Sequence, residues 1–100
     1  MRIGPVQIPD ARIADFCRRH GVVRLSVFGS ALNGTLRPDS DIDILVEFPP
    51  GKTPSLFDLG GMRMELTAAL GREVDLKTPG FLSPRILEIV RRVAEAKYAA

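Results

Sequence analysis

Apolar and polar positions alternate in some stretches of the chain and recur at helical spacing in others. Ile13, Phe16, Cys17 and His20 fall on one helical face, which predicts a helix opening at Pro9-Asp10 and stopped by Gly21. Val23, Leu25 and Val27 alternate with Arg24 and Ser26, so Val22 to Phe28 reads as a strand. Asp41 to Phe48 reads as a second strand, with Ile42, Ile44 and Val46 on one face and Asp41, Asp43 and Glu47 on the other. Pro49-Pro50-Gly51 closes it. Ser55, with Asp58 in capping position, opens a helix whose stripe of Leu59, Met62, Leu66 and Leu70 ends at Gly71. Gly60-Gly61 inside that helix costs about 1 kcal/mol per glycine, for which close packing is the one account the pattern offers. Glu73 to Lys77 predicts a third strand, with Val74 and Leu76 inward and Asp75 outward. Ser83-Pro84 opens a last helix, with Ile86, Val90 and Val93 on its buried face and Glu88 facing Arg92. Arg91, Arg92 and Lys97 read as a solvated helix face.

The connections predict the sheet. The link between the first two strands is short for a parallel crossover, so they pair antiparallel. The second and third strands are joined through a full helix, which favours a right-handed parallel crossover. The expected fold is therefore α/β (α+β), a small mixed sheet of about three strands with helices on one face. The other face is left to Asp41, Asp43 and Asp75.

Composition narrows the class of protein. One hundred residues suffice for a single domain, 1–100, and 45% hydrophobic with 26% charged residues is ordinary for a globular chain. No apolar run approaches a membrane span, and Met1-Arg2-Ile3-Gly4-Pro5 opens no signal peptide. Cys17 is the single cysteine, which excludes a disulfide framework and suits a reducing cytoplasm. On the apolar stripe it reads as core. His20, in the last turn of its helix, suits the helix dipole. A net charge of +2 is compatible with polyphosphates and argues against a nucleic-acid partner.

The chemistry concentrates in the acids. Asp41 and Asp43, two apart on a strand, leave the same face, where two carboxylates repel unless a cation lies between them. Such oxygen ligands suit Mg²⁺, and Asp75 on the neighbouring strand would complete a site for two ions. A solvated strand edge carrying unrelated acids explains the alternation equally well. Gly29-Ser30, at a strand end, adds backbone N–H groups and a hydroxyl that can hold a phosphate, although an ordinary turn has the same sequence.

Taken together, Val27-Phe28-Gly29-Ser30, Ser40-Asp41-Ile42-Asp43-Ile44-Leu45-Val46, Leu56-Phe57-Asp58-Leu59, Leu70-Gly71-Arg72-Glu73-Val74-Asp75-Leu76 and Pro84-Arg85 resemble the DNA polymerase beta-like nucleotidyltransferase superfamily. Within it the chain is most similar to the minimal nucleotidyltransferases, the MNT antitoxins that accompany HEPN-domain toxins. The resemblance runs over nearly the whole chain. It implies that Gly29 and Ser30 grip the β- and γ-phosphates of ATP. It also implies that Asp41, Asp43 and Asp75 bind two Mg²⁺ ions, with Asp75 helping to deprotonate the attacking hydroxyl. Where relatives usually carry Arg or Lys before the glycine of this loop, Asn33 precedes Gly34, a neutral amide in place of a cation. Arg37 is close by in sequence.

The resemblance implies transfer of AMP from ATP to a tyrosine of a HEPN-type toxin, silencing it, in the cytoplasm and without a membrane. A homo-oligomer stays open. Two other readings stand beside it. One is a binding module that neutralises its partner by contact, which Asn33 favours and the retained acids oppose. The other is an enzyme modifying a small molecule, for which the chain is short. Tyr98 reads as a packing or partner-contact residue.

Overall fold

The computed structural model describes residues 1–3, 6–29 and 41–100. Ser30, Asn33, Gly34 and Arg37 lie outside the described residues. The chain opens with two short antiparallel strands, β1 (Arg2–Ile3) and β2 (Val6–Gln7). They bring Ile3, fully buried, to the core beside Ile8. This hairpin is absent from the sequence expectation, because two-residue strands are too short to show alternation. Helix α1 (Asp10–His20) buries Ile13, Phe16 and Cys17, and Gly21 ends it at φ +71°, where other residues are strained. Burial pushes the Cys17 thiol up to about 12, so it serves the core as a small hydrophobe.

Strands β3 (Arg24–Phe28), β4 (Ile42–Glu47) and β5 (Val74–Lys77) form the expected mixed sheet. β3 and β4 pair antiparallel, and β4 and β5 pair parallel through the intervening helix. That helix, α2 (Leu56–Leu70), starts on a complete capping box. Ser55 Oγ accepts from the Asp58 N–H at 3.0 Å, and the Asp58 carboxylate accepts from the Ser55 N–H at 3.1 Å. Its inner face buries Met62, Leu66 and Leu70 against Ile42, Ile44, Val46 and Val74. Among the described residues no helix is long and apolar enough to cross a membrane.

Several expectations are corrected. A fourth strand, β6 (Glu95–Ala99), pairs antiparallel with β3 and completes the order β5-β4-β3-β6. Lys97 is therefore a strand residue, 2.8 Å from Glu95, and does not belong to a helix face. The last helix, α3 (Pro84–Val93), buries Val90 but leaves Ile86 and Val93 exposed at 46% and 59%. The expected Glu88–Arg92 pair is present at 2.6 Å. Gly60 and Gly61 show no close packing among the described residues, where a Cβ on either would meet nothing within 4 Å.

The second sheet face is also less bare than the alternation suggests. Ser26 and Leu45, cross-strand partners on that face, are both buried. The end of α3 lies against them, with Arg91 bonded to Glu47 at 2.8 Å. Between helix and sheet is a cavity of about 320 Å³ lined by Arg24, Ser26, Leu45, Glu47, Arg91 and Ala94. The acids occupy the remaining part of the face.

Candidate active site

The backbone register decides which acids meet. In the parallel β4–β5 pair Asp43 is the direct partner of Asp75, and in the antiparallel β3–β4 pair it is the partner of Phe28. Ile42 and Val74, one position earlier, are buried on the core side, so Asp43 and Asp75 emerge together on the other face. Their side chains come within hydrogen-bonding reach of each other. Asp41 is exposed just before β4 and adds its charge to the field at Asp43. Among the described residues the three acids do not close into a group that already has the spacing of a three-ligand metal site. The structure thus joins Asp43 to Asp75 and leaves Asp41 at the margin.

Asp43 is half-buried, and its carboxyl is held above the ordinary range. Burial is the main cause, followed by the charge of Asp75, a hydrogen bond with it, and the charge of Asp41. Crowded carboxylates repel one another, and each holds its proton more tightly as a result. The paired carboxylates of Asp43 and Asp75, with Asp41 at their margin, are hard oxygen donors of the kind that suits a divalent cation such as Mg²⁺.

Gly29 follows β3 at φ +72°, in the left-handed region. A Cβ at this position would run into the Asp43 carboxylate. Its left-handed conformation favours glycine, and any side chain here would also have to displace the Asp43 carboxylate. The loop beyond, with Ser30 and Asn33, lies outside the described residues.

Sequence reasoning missed Lys77. It stands two positions after Asp75 on the same face of β5, and its Nζ is 3.3 Å from Asp75 Oδ1. Its charge also acts at Asp43, opposing the pressure of the other acids. The strand alternation that groups Asp41 with Asp43 would have placed it there. His20 serves elsewhere: its Nε2 is 2.9 Å from Glu65 Oε1, and its ring packs on Phe16.

The mixed sheet thus sets Asp43 and Asp75 side by side on adjacent parallel strands, with Gly29 against Asp43. Residues 11–97 match the nucleotidyltransferase domain family, and the chain belongs to it. It is a nucleotidyltransferase. The Methanocaldococcus jannaschii protein MJ0435, assigned as a protein adenylyltransferase, is 45% identical over 73 residues, covering 73% of this chain and 76% of its own. A solved structure assigned to the minimal nucleotidyltransferases is 41% identical with a TM-score of 0.73, covering 86% of each chain. A chain from the complex of tri-AMPylated Shewanella oneidensis HEPN toxin with MNT antitoxin shares the fold, with a TM-score of 0.67 at 20% identity. That match covers 91% of this chain and 70% of that one.

Proposed function

We propose that this nucleotidyltransferase moves AMP from ATP to a tyrosine hydroxyl of a HEPN-type toxin and so acts as its antitoxin. The observation that carries the reading is the register pairing of Asp43 with Asp75 beside Gly29. It is supported by the adenylyltransferase assignment of MJ0435 and by the AMPylated toxin in the Shewanella oneidensis complex. Two Mg²⁺ ions held by Asp41, Asp43 and Asp75 would neutralise phosphate charge and acidify the attacking hydroxyl. The Gly29 backbone, the Ser30 hydroxyl and the Asn33 amide hold the β- and γ-phosphates. Asp75 receives the proton of the acceptor hydroxyl. The acceptor oxygen forms a bond to the α-phosphorus as the bond to the β-phosphate oxygen breaks, and pyrophosphate leaves.

A protein acceptor also suits the surface next to the acids. Ile86, Ile89 and Val93 form one exposed apolar stripe on α3, whose end covers the neighbouring half of the acid face. Such a stripe favours a protein surface over a small molecule. The test is transfer from labelled ATP with Mg²⁺ to the purified partner. Wild type should label it, and Asp43→Asn or excess EDTA should abolish labelling. Undiminished labelling by the variant would refute the assignment of Asp43.

A further inference from the structure

We propose that Lys77 is a positioning residue that sets the metal affinity of the site, its ammonium acting as a resident counter-ion in competition with the divalent cation. This rests on the proposed role of the acids as metal ligands and assigns a residue that role does not include. Three observations carry it. Lys77 shares the acid face, two positions beyond Asp75. Its Nζ contacts Asp75 Oδ1 at 3.3 Å, one of the two carboxylate oxygens that Asp75 would offer a metal. Its positive charge is felt at Asp43, the other half of the pair, so it acts on the cluster and not on one oxygen alone.

The physics of the competition is simple. An ammonium and a divalent ion repel strongly when both sit within a few ångströms of the same carboxylates. A cation can bind Asp75 fully when Lys77 lets go or shifts away, so part of the attraction between metal and acids is spent against the ammonium. Lys77 is a long, flexible and partly exposed side chain, with 38% of its surface open to water, and it has room to move. In the metal-free protein it offsets the repulsion among Asp41, Asp43 and Asp75. On metal binding it is displaced from Asp75 and remains at the edge of the site as a mobile cation.

The test measures Mn²⁺ binding alone, by the paramagnetic signal of free Mn²⁺, on wild type, Lys77→Met and Lys77→Arg. Lys77→Met keeps the aliphatic stem and removes the charge. It should bind Mn²⁺ about tenfold more tightly at low ionic strength, and the gain should shrink in molar salt, where screening reaches within about 3 Å. Lys77→Arg should restore wild-type affinity, which a purely structural role of the stem would not predict. Without metal, Lys77→Met should melt at a lower temperature than wild type, and Mn²⁺ should raise its melting point by more. Lys77→Gln serves as a second charge-removing variant if Lys77→Met fails to fold. Equal or weaker Mn²⁺ binding by the neutral variants, with wild-type binding intact, overturns the role of Lys77 and leaves the proposed function standing. Absence of Mn²⁺ binding by wild type and neutral variants alike overturns both.

Discussion

Along β4 the even and odd positions meet different surroundings. Ile42, Ile44 and Val46 are fully buried beneath α1 and α2, whereas Asp43 and Glu47 on the opposite face keep contact with water. The first face is closed by volume: aliphatic side chains from four strands and helices fill one continuous core. On the second, Leu45 is buried under the end of α3, and charge closes the rest, with Glu47 held between Arg24 and Arg91 and Asp75 held by Lys77. A single strand therefore supplies stability on one side and the proposed reactive acids on the other. Changes on the two faces should separate the two properties.

The sharpest way to break that separation is to alter adjacent positions. Ile44→Ala should cost about 2–5 kcal/mol of stability through lost burial and a residual cavity. Asp43→Asn should leave stability unchanged or raise it. The Asp43 carboxyl is held above its ordinary value of 3.8, so the folded state binds this proton more tightly than the unfolded chain. Stability from this group therefore falls as pH rises above 3.8, and the amide removes the loss. Denaturant titrations of both variants in EDTA check the contrast, and a large loss in Asp43→Asn would contradict it.

A second change should affect activity alone. Ser30→Ala removes a hydroxyl proposed to bond a charged phosphate, worth roughly 1.5–3 kcal/mol. ATP use at sub-saturating concentration should fall by about one to two orders of magnitude with the melting temperature unchanged. An unchanged rate would remove Ser30 from the site.

The smallest effect is expected at the junction of α1 and α2, behind the core. Glu65 is bonded to Arg19 and His20, which hold its carboxyl down from 4.5 to about 2. The associated stability is full above pH 4.5 and is lost as pH falls toward 2. Glu65 is more than a third exposed, so solvent screening limits its contribution to about 1 kcal/mol or less. Glu65→Gln should flatten the acid limb of a pH–stability curve by that amount. An unaltered limb would show that the network adds nothing.

How much of this was legible in the sequence depends on how local the signal is. Strands β3, β4 and β5 and helices α1 and α2 carry clear periodicity, and Gly21, Ser55 and Gly71 mark helix ends by their own chemistry. The antiparallel and parallel pairings followed from connection lengths, and with them the shared face of Asp43 and Asp75. What was not legible was set by tertiary contact. Glu95–Ala99, rich in residues that favour helix, becomes a strand because the open edge of β3 offers backbone hydrogen bonds. Ile86 and Val93 obey helical spacing yet lie outside the core, since periodicity identifies an apolar face without saying what covers it. Lys77 was readable by the same alternation as the acids, but a search for carboxylates passes over a cation.

The central claim is that the acid face transfers AMP to a protein partner, with Asp75 activating the acceptor. The most direct measurement is the intact mass of a HEPN-type partner recovered from cells making either wild type or Asp75→Asn, with complex formation followed by size exclusion. With the wild type, the partner should gain mass in steps of one AMP unit and lose toxicity. With Asp75→Asn, the complex should form while the partner stays unmodified and toxic. A partner that carries no AMP with the wild type, yet is neutralised equally by both proteins, would show that the protein acts by binding and contradict the claim.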